Sequence, residues 1–126
     1  MAAVVPRVPT EDEEQIALFR WAAMMEWKYP QLRRLYHIPN GGKRTKAEAG
    51  IFKAMGVKSG VPDVHLPVAR GGYHGLYVEM KRTKGGQVSQ DQKDWIEDLT
   101  REGYFAVVCR GWEEASRVIE GYLSRD

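Results

Sequence analysis

The segment 60–87, GVPDVHLPVARGGYHGLYVEMKRTKGGQ, places a carboxylate inside each of two apolar, strand-like runs, Asp63 and Glu79, with Lys81 two residues after the second. Charge in a half-buried strand is costly unless something compensates it. Strand side chains alternate, so in GLYVEMK the residues Leu76, Val78 and Met80 share one face, and Tyr77, Glu79 and Lys81 share the other. If the preceding strand pairs with this one, Asp63 lies across from Glu79, within reach of a common ion. Two converging carboxylates repel each other unless a cation sits between them. An oxygen-only ligand set selects a hard divalent ion, most simply Mg²⁺, which takes one or two carboxylates, keeps waters and accepts phosphate oxygens. With Lys81 to position a water or neutralise a phosphate, the set suits phosphodiester hydrolysis. The plainer alternative is a cross-strand salt bridge of Glu79 with Lys81 or Arg82, and Asp63 as a turn residue after Pro62.

Two more polar residues stand on faces that otherwise read as buried. Glu14 shares a helical stripe with Leu18, Trp21 and Met25, and Gln92 heads a stripe of Trp95, Ile96 and Leu99. Each has a local explanation as well: Glu14 is a first-turn acid favoured by the helix dipole, and Ser89-x-x-Gln92 is a capping box.

The elements that must carry these residues follow from caps, stops and periodicity. Residues 1–9, with Pro6 and Pro9, read as a loose leader. TEDEEQIALFRWAAMMEWKYP reads as a deeply packed helix with a Thr10/Glu13 capping box and Pro30 as its stop. LRRLYHIP suits a brief strand, and NGG turns the chain. TKAEAGIFKAMG reads as a helix capped by Thr45 and Glu48, with Ala47, Ile51, Ala54 and Met55 on its apolar side and Gly56 at its end. VPDVHLPV and HGLYVEMKR are strands joined by ARGGY as an antiparallel pair. SQDQKDWIEDLTREG is a helix from Ser89 to Gly103, YFAVVC a buried strand, and WEEASRVIEGYLSR a helix with Ala115, Val118, Ile119 and Tyr122 on one face. The order α-β-α-β-β-α-β-α implies an α/β fold with a mixed sheet of about four strands flanked by helices, in one domain over residues 1–126.

The 126 residues are 43% hydrophobic and 29% charged, a globular balance, and no apolar run has the roughly 18 residues of a membrane span. The opening MAAVVPRVPT lacks the pattern of a signal peptide. The single cysteine, Cys109, excludes an internal disulfide and reads as a small core hydrophobe, so a reducing cytoplasm is expected. The net charge of +2 hides an asymmetry: between Gln31 and Gln90, eleven Lys and Arg face three acids, a local +8. That is an electrostatic footprint for a polyanion. His37, His65 and His74 lack zinc-ligand spacing, and GGYHG and KGG lack the Walker spacing, which excludes a nucleotide-triphosphate loop. Tyr73, Tyr77 and the tryptophans are candidates for base stacking, with core packing as their plainer role.

Three stretches, GVPDVHL, YVEMKRTKGGQVSQDQKDWIEDL and GYFAVVCRGWEEASRVI, with HIPNGGKR, together resemble the PD-(D/E)xK nucleases. They are most similar to the stand-alone VRR-NUC (virus-type replication and repair nuclease) domains of phages and bacteria. The resemblance spans nearly the whole chain. It implies a restriction-endonuclease-like core, Asp63 and Glu79 as metal ligands joined by the Met80 carbonyl, and Lys81 as catalytic lysine. Glu14 matches the first-helix acid of the metal site, and Gln92 the glutamine that hydrogen-bonds within it. It further implies Mg²⁺ or Mn²⁺ and products with 5′-phosphate and 3′-hydroxyl ends. Asn40, Lys43, Arg44, Lys46, Lys58, Arg82 and Lys84 are the expected nucleic-acid contacts. The expected function is a structure-selective endonuclease on branched DNA, with four-way junctions as preferred target and a homodimer as working form. The alternatives are a non-catalytic DNA-binding module on the same fold, and a flap or RNA nuclease.

Overall fold

The computed structural model describes residues 7–39 and 45–126. Four strands form one sheet in the order β1 (Tyr36–His37), β2 (Val64–Leu66), β3 (Leu76–Lys81), β4 (Phe105–Arg110). β1–β2 and β2–β3 are antiparallel and β3–β4 is parallel. The helices are α1 (Glu11–Met24), α2 (Lys46–Ala54), α3 (Gln90–Arg101) and α4 (Trp112–Leu123). The β3–α3–β4 segment supplies the crossover that a parallel pair requires.

The alternation along β3 divides the molecule. Leu76, Val78 and Met80 are buried against α1 and α4, in a core with Leu18, Ala22, Val64, Leu66, Ala115, Ile119 and Tyr122. Cys109 belongs to this core, and burial pushes its thiol up to about 12, which makes it unreactive. The opposite face carries Tyr77, Glu79 and Lys81, and α3 packs there, chiefly on β4. No residue of α3 is fully buried, so its stripe of Trp95, Ile96 and Leu99 is half-covered.

Two expectations are corrected. α1 ends at Met24, not at Pro30: the Lys28 and Tyr29 N–H groups both bond back to the Met25 carbonyl, and Pro30 opens a 3-10 turn over Pro30–Arg34. This reversal brings Tyr29 onto the core and puts Leu32 and Leu35 inside it. The LRRLYHIP strand shrinks to Tyr36–His37 for the same reason. Of the expected leader, residues 1–6 lie outside the described residues; in residues 7–9 the Val8 and Pro9 carbonyls accept from Arg82, and Arg7 pairs with Glu13. α2 forms with Thr45 as cap, yet its apolar side is uncovered: Ile51 is 61% and Met55 75% exposed.

Gly60 sets the entry to β2. It has φ +86°, and a Cβ there would lie 2.7 Å from the backbone carbon of Asp91 in the first turn of α3. Gly60→Ala is therefore expected to cost about 2 kcal/mol or more, from backbone strain and overpacking together. A denaturant midpoint that barely moves would show that α3 yields freely at this contact.

Candidate active site

Asp63 sits one residue ahead of β2, and the Val64↔Val78 register carries it alongside Glu79. Its peptide is fixed by β1, since its carbonyl accepts from the Ile38 N–H (2.7 Å) and lies 2.8 Å from the His37 ring nitrogen Nδ1. Its side chain is fixed by β3, with Oδ2 accepting the Met80 N–H at 2.8 Å. The Met80 carbonyl leaves the strand on the same edge as that N–H, beyond the last β2–β3 ladder pair.

Glu79 is 1% exposed. Its Oε2 accepts from Gln92 Nε2 at 3.1 Å and lies 3.7 Å from Lys81 Nζ. Its Oε1 is buried and accepts no N–H or O–H from the protein, and the Asp63 carboxyl lies within hydrogen-bonding reach of the Glu79 carboxyl. Burial first, and then the neighbouring Asp63 carboxylate, push the Glu79 pKa up to about 9, although Lys81 pulls it down. A buried carboxylate without a donor to one oxygen, beside a second carboxylate, is the environment a divalent cation relieves. The donors Asp63, Glu79 and a backbone carbonyl, all oxygen, fit Mg²⁺ or Mn²⁺. Among the described residues no group of three His, Cys, Asp or Glu side chains gathers at one point. Two carboxylates suffice for Mg²⁺, which retains waters.

Gln92 fills both roles that its position allows. Its Oε1 accepts the Ser89 N–H (2.9 Å), completing the capping box, while its Nε2 donates to Glu79. One amide thus anchors α3 and orients the carboxylate.

Lys81 is 5% exposed and held between two acids, Glu79 and Glu11, the latter at 3.5 Å. Glu11 was not singled out by its sequence context, which is a run of four acids, Glu11 to Glu14. Glu14 itself is buried, but its Oε1 accepts the Trp112 N–H (3.1 Å) at the start of α4. The helix dipole and this orphan donor give it a stable place away from Lys81. Gly111 precedes Trp112 at φ +88°, and a Cβ there would lie 2.9 Å from the Thr83 methyl. Glu14→Ala is expected to cost about 1–2 kcal/mol, whereas Glu14→Gln, which keeps an acceptor, costs less than about 1 kcal/mol. Equal thermal shifts for the two would argue that the charge alone matters.

The basic residues divide. Lys46, Lys58 and Lys84 are exposed. Arg82 is engaged by the 7–9 segment, and Asn40, Lys43 and Arg44 lie outside the described residues. Arg110, the register partner of Lys81, donates to the carbonyls of Arg82, Gly85 and Gly86 and so clasps the loop that follows the lysine. Its sequence setting at a strand end gave no signal of that role.

Among the described residues no helix is long and apolar enough to cross a membrane. No curated protein matches the chain. A solved structure described as a VRR_NUC domain protein superposes with a TM-score of 0.79 at 37% identity, covering 93% of this chain and 90% of that one. The family model of the VRR-NUC domain matches residues 6–113, a span holding Asp63, Glu79, Lys81 and Gln92. With its mixed four-stranded sheet and its acids and lysine on one strand face, the chain belongs to the VRR-NUC family of nuclease domains.

Proposed function

We propose that this protein is an Mg²⁺- or Mn²⁺-dependent endonuclease that hydrolyses phosphodiester bonds in branched DNA, with the four-way junction as preferred substrate and a homodimer as working form. The observation that carries the reading is the pair of carboxyls, Glu79 buried with no donor to its Oε1 and Asp63 against it, on the face that also presents Lys81. Asp63, Glu79 and the Met80 carbonyl would hold the cation, which polarises a phosphate and acidifies a bound water. Asp63 is pre-set by Met80 and Glu79 by Gln92, so little reorganisation accompanies binding. Lys81 orients the attacking water and offsets the charge that develops at the phosphate in the transition state, and Glu11 keeps its ammonium in place when a substrate approaches. Hydrolysis leaves a 5′-phosphate and a 3′-hydroxyl.

Branch selectivity rests on shape, with the exposed Lys46, Lys58 and Lys84 available to phosphates. A two-fold pair would cut both strands of a junction symmetrically. The uncovered Ile51 and Met55 of α2 offer such a pair apolar surface to bury.

The test is cleavage of end-labelled four-way junction, flap, linear duplex and RNA hairpin with Mg²⁺, Mn²⁺ or EDTA. Symmetric metal-dependent cuts in the junction support the reading. A preference for the flap or the RNA replaces the substrate and keeps the chemistry, and binding without cleavage in either metal favours a non-catalytic module.

A further inference from the structure

We propose that Tyr36, backed by His65 and Tyr77, is a stacking platform for a branch-point base, one that has lost a stacking neighbour, adjacent to the scissile phosphate. The proposal rests on the nuclease reading above and adds the part of the substrate that the catalytic groups do not touch.

The three residues form one register row across the sheet: Tyr36 is paired with His65, and His65 with Tyr77. Alternation places them on the face that carries Asp63, Glu79 and Lys81. The next row along β3 is Glu79, two residues or about 7 Å away, roughly one nucleotide of an extended strand. A nucleotide whose phosphate reached the carboxylates would bring its neighbour over this row.

The row is built as a rigid aromatic support. His65 stacks on Tyr77 with ring centroids 4.1 Å apart and planes 5° from parallel. Tyr104 closes on Tyr77 edge to face at 5.3 Å. Tyr36 meets the His65 ring at 5.3 Å and 68°, and its hydroxyl is held 2.7 Å from His65 Nδ1. The outermost ring is nonetheless 46% exposed. β1 is the edge strand, and α3 packs chiefly on β4 at the other side of the sheet.

Folding alone does not account for the arrangement. His65 Nε2 is buried without a partner, a cost with no return in the core. The imidazole is instead spent on fixing an exposed tyrosine. An ordered, half-exposed aromatic with a locked hydroxyl is suited to stacking, because little entropy remains to be lost.

Charge selects the occupant. Arg33, 3.9 Å from Glu26, and Arg34 are exposed immediately ahead of β1. Together with continuity with the carboxylate pair, this favours a nucleic-acid strand over a protein segment. Stacking on a side chain needs a base with a free face, which an intact duplex does not offer and a branch point does.

The test uses four-way junction and flap DNA carrying 2-aminopurine at the branch, bound in EDTA so that no cleavage is required. Wild type and Tyr36→Phe are expected to quench the probe, and Tyr36→Ala to leave it bright. Tyr36→Ala should also weaken binding of the flap, and of a short single strand, by about tenfold, with intact duplex binding unchanged. In cleavage assays the loss falls on KM and leaves kcat within about twofold. No quenching by the wild type, or an equal loss of affinity for duplex and flap, would overturn the platform. Failure of the wild type to cleave any substrate would sink the nuclease reading instead, and the two failures are read in separate assays.

Discussion

Lys81→Met is expected to leave nucleic-acid affinity nearly unchanged and to lower kcat by roughly 10²- to 10³-fold, the range for loss of one preorganised electrostatic group. The ammonium is 3.7 Å from Glu79 and 3.5 Å from Glu11, both beyond tight hydrogen-bond contact. It is thus poised between the acids without being consumed by either. Methionine retains the aliphatic stem, whose Cδ packs near Gly86, so the fold survives and the measurement reads chemistry. Steady-state kinetics on a cleaved oligonucleotide decide the matter. A kcat loss with constant KM assigns Lys81 to the transition state. An unchanged kcat would reduce it to a structural partner of Glu79, the plain salt bridge.

Glu79→Gln should abolish metal-dependent activity and at the same time stabilise the metal-free protein, by about 1–3 kcal/mol at neutral pH. The sign follows from the burial. In the folded chain the Glu79 carboxyl is pushed up to about 9, against 4.5 for the free side chain. Folding therefore takes up a proton between those values, and this group's contribution to stability falls as pH rises from about 4.5 to 9. Glutamine removes that slope, because a neutral amide enters the site without taking up a proton. A divalent cation reverses the trend, because the ionised carboxylate is the form it binds: the affinity should tighten by about tenfold per pH unit until Glu79 is fully ionised. Thermal melts at several pH values, with EDTA and with Mg²⁺, measure all of this. A melting point for Glu79→Gln equal to or below that of the metal-free wild type would contradict the strain assigned to Glu79.

The architecture was legible where local rules and packing agree. The Thr10/Glu13 and Ser89/Gln92 boxes start α1 and α3 as expected, Gly103 follows the end of α3, and the β3 alternation separates core from site. The element order and the mixed sheet follow from the same signals. What was not legible depends on tertiary choices. Pro30 as a helix stop was a sound local inference, but Tyr29 and Leu32 gain more by turning back onto the core six residues earlier than Pro30. Which acid of Glu11–Glu14 meets Lys81 cannot be read from helical spacing, since residues three apart share a face. The position of α4 decides it, by giving Glu14 the Trp112 N–H. Gln92 was framed as cap or site residue, and its two amide atoms satisfy both. Arg82, expected on phosphate, is drawn to the Val8 and Pro9 carbonyls.

The central claim is that Asp63 and Glu79 interrupt their apolar strands in order to share a divalent cation. Anomalous diffraction from crystals grown with Mn²⁺ tests it most directly. The expected result is one strong peak about 2.1 Å from an Asp63 oxygen and from Glu79 Oε1. A map with no ion between those carboxylates, and Glu79 still held only by Gln92 and Lys81, would contradict it and leave the pair as a structural ion network.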